Sequence, residues 1–229
     1  MPTITDEEFG TITLRRSARA THVRIRVAPD GRLRASLPLY APVFLVKRLL
    51  KTSRPQLRAM LAEQQNDTVF ESGMQIGKSH TLITRLGSVL SAKRHGQQII
   101  VTLPEETSLK DADVARVVRD SVIDALRLEA KSYLPKRITF LAEKNGFAFS
   151  KIRFSHASGR WGSCSSNGTI SLNIALMKLP FELIDYVLVH ELSHTKQMNH
   201  SEAFWNLVET ADPKYKVHRR ELRKETPSI

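Results

Sequence analysis

Only one cysteine, Cys164, occurs in the 229 residues. A lone thiol excludes an internal disulfide and fits a reducing compartment, and Cys164 reads as a small buried hydrophobe beside Trp161. No run approaches the ~18 consecutive apolar residues of a membrane-spanning helix. The first sixteen residues lack the basic and then apolar order of a secretory signal and carry Asp6, Glu7 and Glu8 instead. A cytoplasmic protein with no membrane partner is expected. A Gly-rich phosphate loop and the acidic clusters of two-metal phosphoanhydride hydrolases are also missing. Acid is scarce overall: 35 Lys and Arg face 23 Asp and Glu, a net charge of +12. Residues 1–60 alone hold twelve Lys or Arg against four acids, so this end is attracted to polyanions.

What is present is ordinary for a soluble globular chain of one or two domains, with 41% hydrophobic and 25% charged residues. Val23, Ile25 and Val27 alternate with Arg24 and Arg26, Pro29-Asp30-Gly31 makes a turn, and Leu33, Ala35 and Leu37 alternate with Arg32, Arg34 and Ser36. That is a hairpin with one basic face. Residues 42–64 follow a helical period interrupted near Pro55. Short strands are expected at 68–71, 74–76, 81–86 and 98–103, between glycines. From Lys110 the period becomes helical up to Asn145-Gly146, with Pro135 expected to kink or divide the helix. Ile152 and Phe154 suggest a strand, and Asn167-Gly168 is a hairpin turn leading into 169–173. Pro180 and Glu182 open a nearly all-apolar helix, Ser201 caps another, and Asp212-Pro213 opens a short basic last one. The expected fold is α+β: a mainly β, basic region over 1–105, then a helical domain with a small sheet over 106–229.

The chemistry concentrates in residues 190–200. On a helix, positions four apart stand on one face, so His190 and His194 can aim ring nitrogens at a single point. Glu191 is rotated about 100° away, placed to hold a water rather than to ligate. His200 follows after the chain can turn at Met198-Asn199 and can fold back as a third nitrogen. Three protein ligands and one open position is the pattern of catalytic rather than structural zinc. Burying His190, Glu191 and His194 on an apolar helix without a partner would cost a few kcal/mol per group.

Arg160-Trp161-Gly162-Ser163-Cys164-Ser165, Ile170-Ser171-Leu172-Asn173, Asp185 to His194, and Met198-Asn199-His200-Ser201-Glu202-Ala203-Phe204-Trp205 resemble the YgjP-like family of zinc metallopeptidases, relatives of the SprT and WLM proteins in the zincin group. The match is close over roughly the last 80 residues and looser upstream; the family usually has Cys where Ser193 stands. The resemblance implies a zincin-like domain, one catalytic zinc ion on His190, His194 and His200, and Glu191 as catalytic base, acting on a peptide or protein substrate.

Such a site takes a proton from a zinc-activated water through Glu191 and returns it to the leaving amine. It also needs an edge strand to align an extended peptide, for which 169–173 is the candidate, with an interior strand as the alternative. Tyr186 shares a face with His190 and either supports an oxyanion or packs in the core. Asp185 either orients a ligand or binds Arg160. Arg160 and Asn199 are candidates for substrate contact, and Phe204 and Trp205 for fixing the loop of His200. His22, His80, His95, His156 and His218 lack ligand spacing, His156 being the one placed to approach the pocket. Two other readings follow from the residues: a zinc hydrolase of a nucleotide phosphoanhydride, or a nucleic-acid-associated protein using the Arg24, Arg26, Arg32 and Arg34 face.

Overall fold

The computed structural model describes residues 2–18, 20–28, 32–66, 70–157 and 159–229, without the side chains of 62–66. The chain forms two compact units, Met1–Val69 and Phe70–Ile229. The sequence reading divides it after residue 105; the packing divides it after Val69, because the strands between 70 and 105 are built onto the long helix that follows them.

In the first unit, β1 (Thr3–Asp6), β2 (Gly10–Arg16), β3 (Arg24–Val27) and β4 (Leu33–Leu37) form a sheet in the order β1-β2-β4-β3. The expected hairpin is there: β3 and β4 are antiparallel, with Ile25 opposite Ala35 and Arg26 opposite Arg34. Its turn at Pro29-Asp30-Gly31 lies outside the described residues. Alternation sends Ile12, Leu14, Leu33, Ala35 and Leu37 to one face, where they bury against Val46 and Leu50 of α1 (Phe44–Thr52) and Leu57 of α2 (Arg54–Asn66). The helical stretch breaks at Ser53 and restarts at Arg54, so Pro55 sits in a first turn, where its missing N–H removes no helical bond.

The second unit begins with β5 (Gln75–Ile76), β6 (His80–Leu86), β7 (Ser91–His95) and β8 (Gln98–Leu103), ordered β5-β6-β8-β7. Of the expected strand at 68–71, Thr68 and Val69 lie outside the described residues, and Phe70 and Glu71 are not in a strand. Leu82, Ile99 and Val101 pack on Val118, Val122 and Leu126 of α3 (Ala112–Asn145). This helix is 34 residues long, and Pro135 does not divide it. Lys131, whose carbonyl loses its partner, lies on the exposed face, while Ala130, Leu134 and Ile138 are buried on the other. Water can therefore satisfy the freed carbonyl while packing holds the helix through the proline. Gly146 ends it in the left-handed region at φ 64°.

A buried carboxylate ties this sheet to α3. Glu129 accepts hydrogen bonds from the Lys78 and Ser79 N–H groups (2.7 and 2.9 Å), from Ser79 Oγ (2.8 Å) and from His80 Nδ1 (2.6 Å). Burial alone would raise its pKa, but these donors lower it. Gly77, at φ +62°, leaves the room: a Cβ there would stand 2.2 Å from Glu129 Oε2.

Past α3, β9 (Lys151–Ser155), β10 (Gly162–Cys164) and β11 (Thr169–Asn173) form a sheet in the order β10-β11-β9. A 3₁₀ turn at Ile174–Lys178 leads to α4 (Phe181–Ser193), followed by α5 (Glu202–Ala211) and α6 (Tyr215–Leu222). Ser201 stands at the start of α5, but its side chain makes no capping hydrogen bond. Among the described residues no helix is long and apolar enough to cross a membrane.

Candidate metal centre

Leu183, Ile184, Val187, Leu188, Val189 and Leu192 are all buried, so α4 runs through the core and carries its polar residues in with it. The helix ends at Ser193, sooner than the sequence suggests, and His194 is its C-cap residue, its N–H still bonded to the His190 carbonyl at 3.3 Å. One helical turn therefore still separates the two rings. The next turns bring His200 back, with its Nε2 3.1 Å from His190 Nε2. His194 Nδ1 donates to the Gln197 carbonyl at 3.1 Å, which fixes its tautomer and leaves Nε2 to accept.

Each of His190, His194 and His200 offers one ring nitrogen, and these atoms lie within 4.8 Å of one another. Two ligands of a tetrahedral zinc, each about 2.0–2.1 Å from the ion, stand about 3.3 Å apart, so the set closes on an ion by small ring movements. Phe204, fully buried, backs all three, with ring centroids 5.0, 4.5 and 4.8 Å from His190, His194 and His200. Trp205 stacks on His200 at 5.6 Å. The support expected of these two residues is what they provide.

Burial, then repulsion from the other two imidazoles and Arg219, pushes the His190 pKa down to about 3. Burial also lowers His194. Neutral imidazoles are the ligating form. Burial pushes Glu191 the other way, up to about 8, with Arg160 opposing. Glu191 Oε2 is buried without a hydrogen-bond partner, as is His190 Nδ1. A buried carboxyl on which burial outweighs the pull of Arg160, beside three nitrogens with lone pairs to give, is the environment a divalent cation completes.

The loop before β10 brings up the opposite wall. Asn173, fully buried, donates to the carbonyls of Ala157 (2.7 Å) and Arg160 (3.0 Å) and accepts from the Ala175 N–H (3.0 Å). It thereby ties Ala157 and Arg160 to the end of β11, ahead of β10, which packs on α4. A Cβ on Gly162 would stand 2.6 Å from Glu191 Oε1, so glycine is what lets strand and carboxylate meet.

Of the two readings of 169–173, the interior strand is the one that holds: β11 is central, antiparallel to β10 and parallel to β9, and the edge beside α4 is β10. Two other readings from sequence change. Asp185 neither turns to the histidines nor binds Arg160; it accepts two hydrogen bonds from Arg137 of α3, at 2.7 and 2.5 Å. His218, read as ordinary, bonds Asp212 at 2.7 Å in a wall that sequence reasoning missed, made by α6. In that wall Tyr215 stacks on Trp205 at 5.5 Å, and the Arg219 guanidinium lies 4.4 Å over the same ring. Tyr186, 4% exposed, stands 6.1 Å from His190 and 6.4 Å from His218 between ring centroids, and burial raises its hydroxyl to about 12. Arg160, Asn199 and His156 are exposed, and the histidine cluster does not include His156.

Two histidines one turn apart, a carboxylate beside the first and a third histidine from the turn behind are the arrangement of a metallopeptidase centre. The chain belongs to the YgjP-like family: the YgjP-like metallopeptidase domain matches residues 21–225. Among solved structures, the chain is similar to the metallopeptidase zymogen of Pyrococcus abyssi abylysin, at 28% identity over 39% of this chain and 92% of that one, with a TM-score of 0.36. It is also similar to the metallopeptidase zymogen of Methanocaldococcus jannaschii jannalysin, at 20% identity over 39% of this chain and 93% of that one, with a TM-score of 0.35. No curated protein matches the sequence.

Proposed function

We propose that this metallopeptidase is a zinc enzyme of the cytoplasm that hydrolyses peptide bonds, with His190, His194 and His200 as the ligands of one ion and Glu191 as general base. The observation that carries this reading is the three ring nitrogens within 4.8 Å of one another beside the unpartnered Glu191 oxygen. Zinc, when bound there, polarises a carbonyl and lowers the pKa of a coordinated water towards about 7. Glu191 accepts the proton that the attacking water gives up as its oxygen joins the carbonyl carbon. It then delivers that proton to the amide nitrogen as the C–N bond breaks. A carboxyl pushed up towards neutrality by burial suits both halves of that task.

The substrate pairs in extended form with the free edge of β10, whose other edge is taken by β11. Arg160, two residues ahead of β10, and Asn199, next to His200, are both exposed and are the groups assigned to touch substrate. Tyr186 takes a packing role, since its charged neighbours Arg219, Asp212 and Arg223 are those of the α6 wall. Gly162→Ala is expected to lower kcat/KM by about 10²-fold at unchanged metal content, because the new methyl displaces the Glu191 carboxyl. Steady-state kinetics beside metal analysis checks this.

The reading is tested by giving the zinc-loaded protein an unfolded protein substrate and nucleoside triphosphates, with and without a chelator. New peptide termini that appear only with metal are expected. Phosphate or pyrophosphate release with no peptide cleavage would transfer the site to phosphoanhydride hydrolysis.

A further inference from the structure

The sheet of the first unit buries one face on α1 and α2 and leaves the other open. The register places Arg24 opposite Ser36 and Arg26 opposite Arg34, with Thr13 beside Arg34 and Arg15 beside Ser36. Opposed residues share a face, so Arg15, Arg24, Arg26 and Arg34 all project from the open one, and all four are exposed. Threonine and serine hydroxyls of β1, β2 and β4 fill the remaining positions. No carboxylate stands on this face among the described residues. Asp6 and Glu8 are committed elsewhere, to Arg54 and Arg58 of α2.

Just past β4, Arg16 Nη1 donates to the carbonyls of Leu39 (2.5 Å) and Ala41 (2.8 Å). Between these anchors Tyr40 is held outward, 96% exposed. An aromatic ring displayed on a pinned loop loses little freedom when something stacks on it.

We propose that the open face of this sheet binds single-stranded nucleic acid, its arginines and hydroxyls holding the phosphate backbone and Tyr40 stacking on a base. Guanidiniums bind phosphate oxygens in bidentate fashion, and hydroxyls add neutral hydrogen bonds to phosphate and sugar. The major groove of a duplex, about 12 Å wide, admits a helix or a two-stranded ribbon, whereas four strands at about 4.8 Å spacing make a wider platform. A broad basic platform with an exposed aromatic just past the end of β4 suits a strand whose bases are free to stack. A surface built for anionic lipid sets apolar residues among the basic ones, and among the described residues no strand position of this face is apolar. The binding needs neither the histidines nor a metal.

The test is fluorescence anisotropy of the full chain with a labelled 20-nucleotide oligothymidylate between about 50 and 200 mM salt. Binding should weaken steeply with salt. R15Q/R24Q/R26Q together should lower affinity at least ten-fold and flatten the log–log salt slope by about two, at about 0.7 per lost phosphate contact on a single strand. Y40A, a change at an exposed position, should weaken binding about ten-fold at every salt concentration and leave the slope unchanged. The proposal is overturned by no binding at 50 mM salt, by equal or tighter binding of a duplex of the same length, by preferential binding to phosphatidylserine vesicles, or by full affinity in both variants.

Discussion

Glu191→Gln is expected to keep its zinc and lose hydrolysis by about 10²–10⁴-fold, the range that a positioned proton-transfer group contributes. The two side chains have the same shape, so the amide fits the space that Gly162 leaves. The three imidazoles are untouched, and metal content should stay near that of the wild type. What disappears is the basic oxygen, which no neighbour replaces: Arg160 cannot accept a proton, and Cys164, its own pKa raised by burial and then by Glu191, stays a thiol. Kinetics with metal analysis on the same sample separates the two effects. Turnover within a few-fold of wild type would remove Glu191 as the base.

His194→Ala acts on the other half of the site and shows in stability before activity. Removing the ring opens a gap against Phe204, whose centroid lies 4.5 Å away, and this lowers stability with or without metal. The informative quantity is therefore the metal-dependent increment. A ligand at a hundred times its Kd stabilises the folded state by about 2.7 kcal/mol, which in a domain of this size raises Tm by roughly 5–10 °C. The wild type is expected to show that rise on adding zinc to the chelated protein, and His194→Ala to show little of it. Thermal denaturation followed by circular dichroism gives both numbers.

How much of this could be read from the chain depends on how local the signal is. The site on α4 was legible because its constraint is one helical turn: given a helix, the four-residue spacing of His190 and His194 fixes where the rings point. The fold of His200 back onto them followed from the same short stretch. The β10 edge was not legible. Alternation reports that a strand has two faces, but not whether its two edges are paired. Thr169-Ile170-Ser171-Leu172-Asn173 alternates polar and apolar residues, so nothing in the chain announces that Thr169 and Asn173 are buried along with Ile170 and Leu172.

Other elements were hidden for different reasons. β7, Ser-Ala-Lys-Arg-His, is mostly exposed on the rim of its sheet and has no apolar period to find. Pro135 signalled a break that packing overrode, because buried neighbours hold the helix on either side of it. The α6 wall brings Arg219 near His190 from 29 residues away in sequence, and no local pattern encodes that approach. Asp185 found Arg137, 48 positions distant, for the same reason.

The central claim is that three imidazoles, from α4, its C-cap and the turns behind it, hold one divalent ion. Metal content by mass spectrometry, measured on wild type beside His194→Ala and His200→Ala purified without added metal, tests it most directly. About one zinc per wild-type chain and a small fraction of that in both variants is the expected result. Full zinc retained when either ring is removed would contradict the claim, because the remaining ligands would then have to lie outside this cluster.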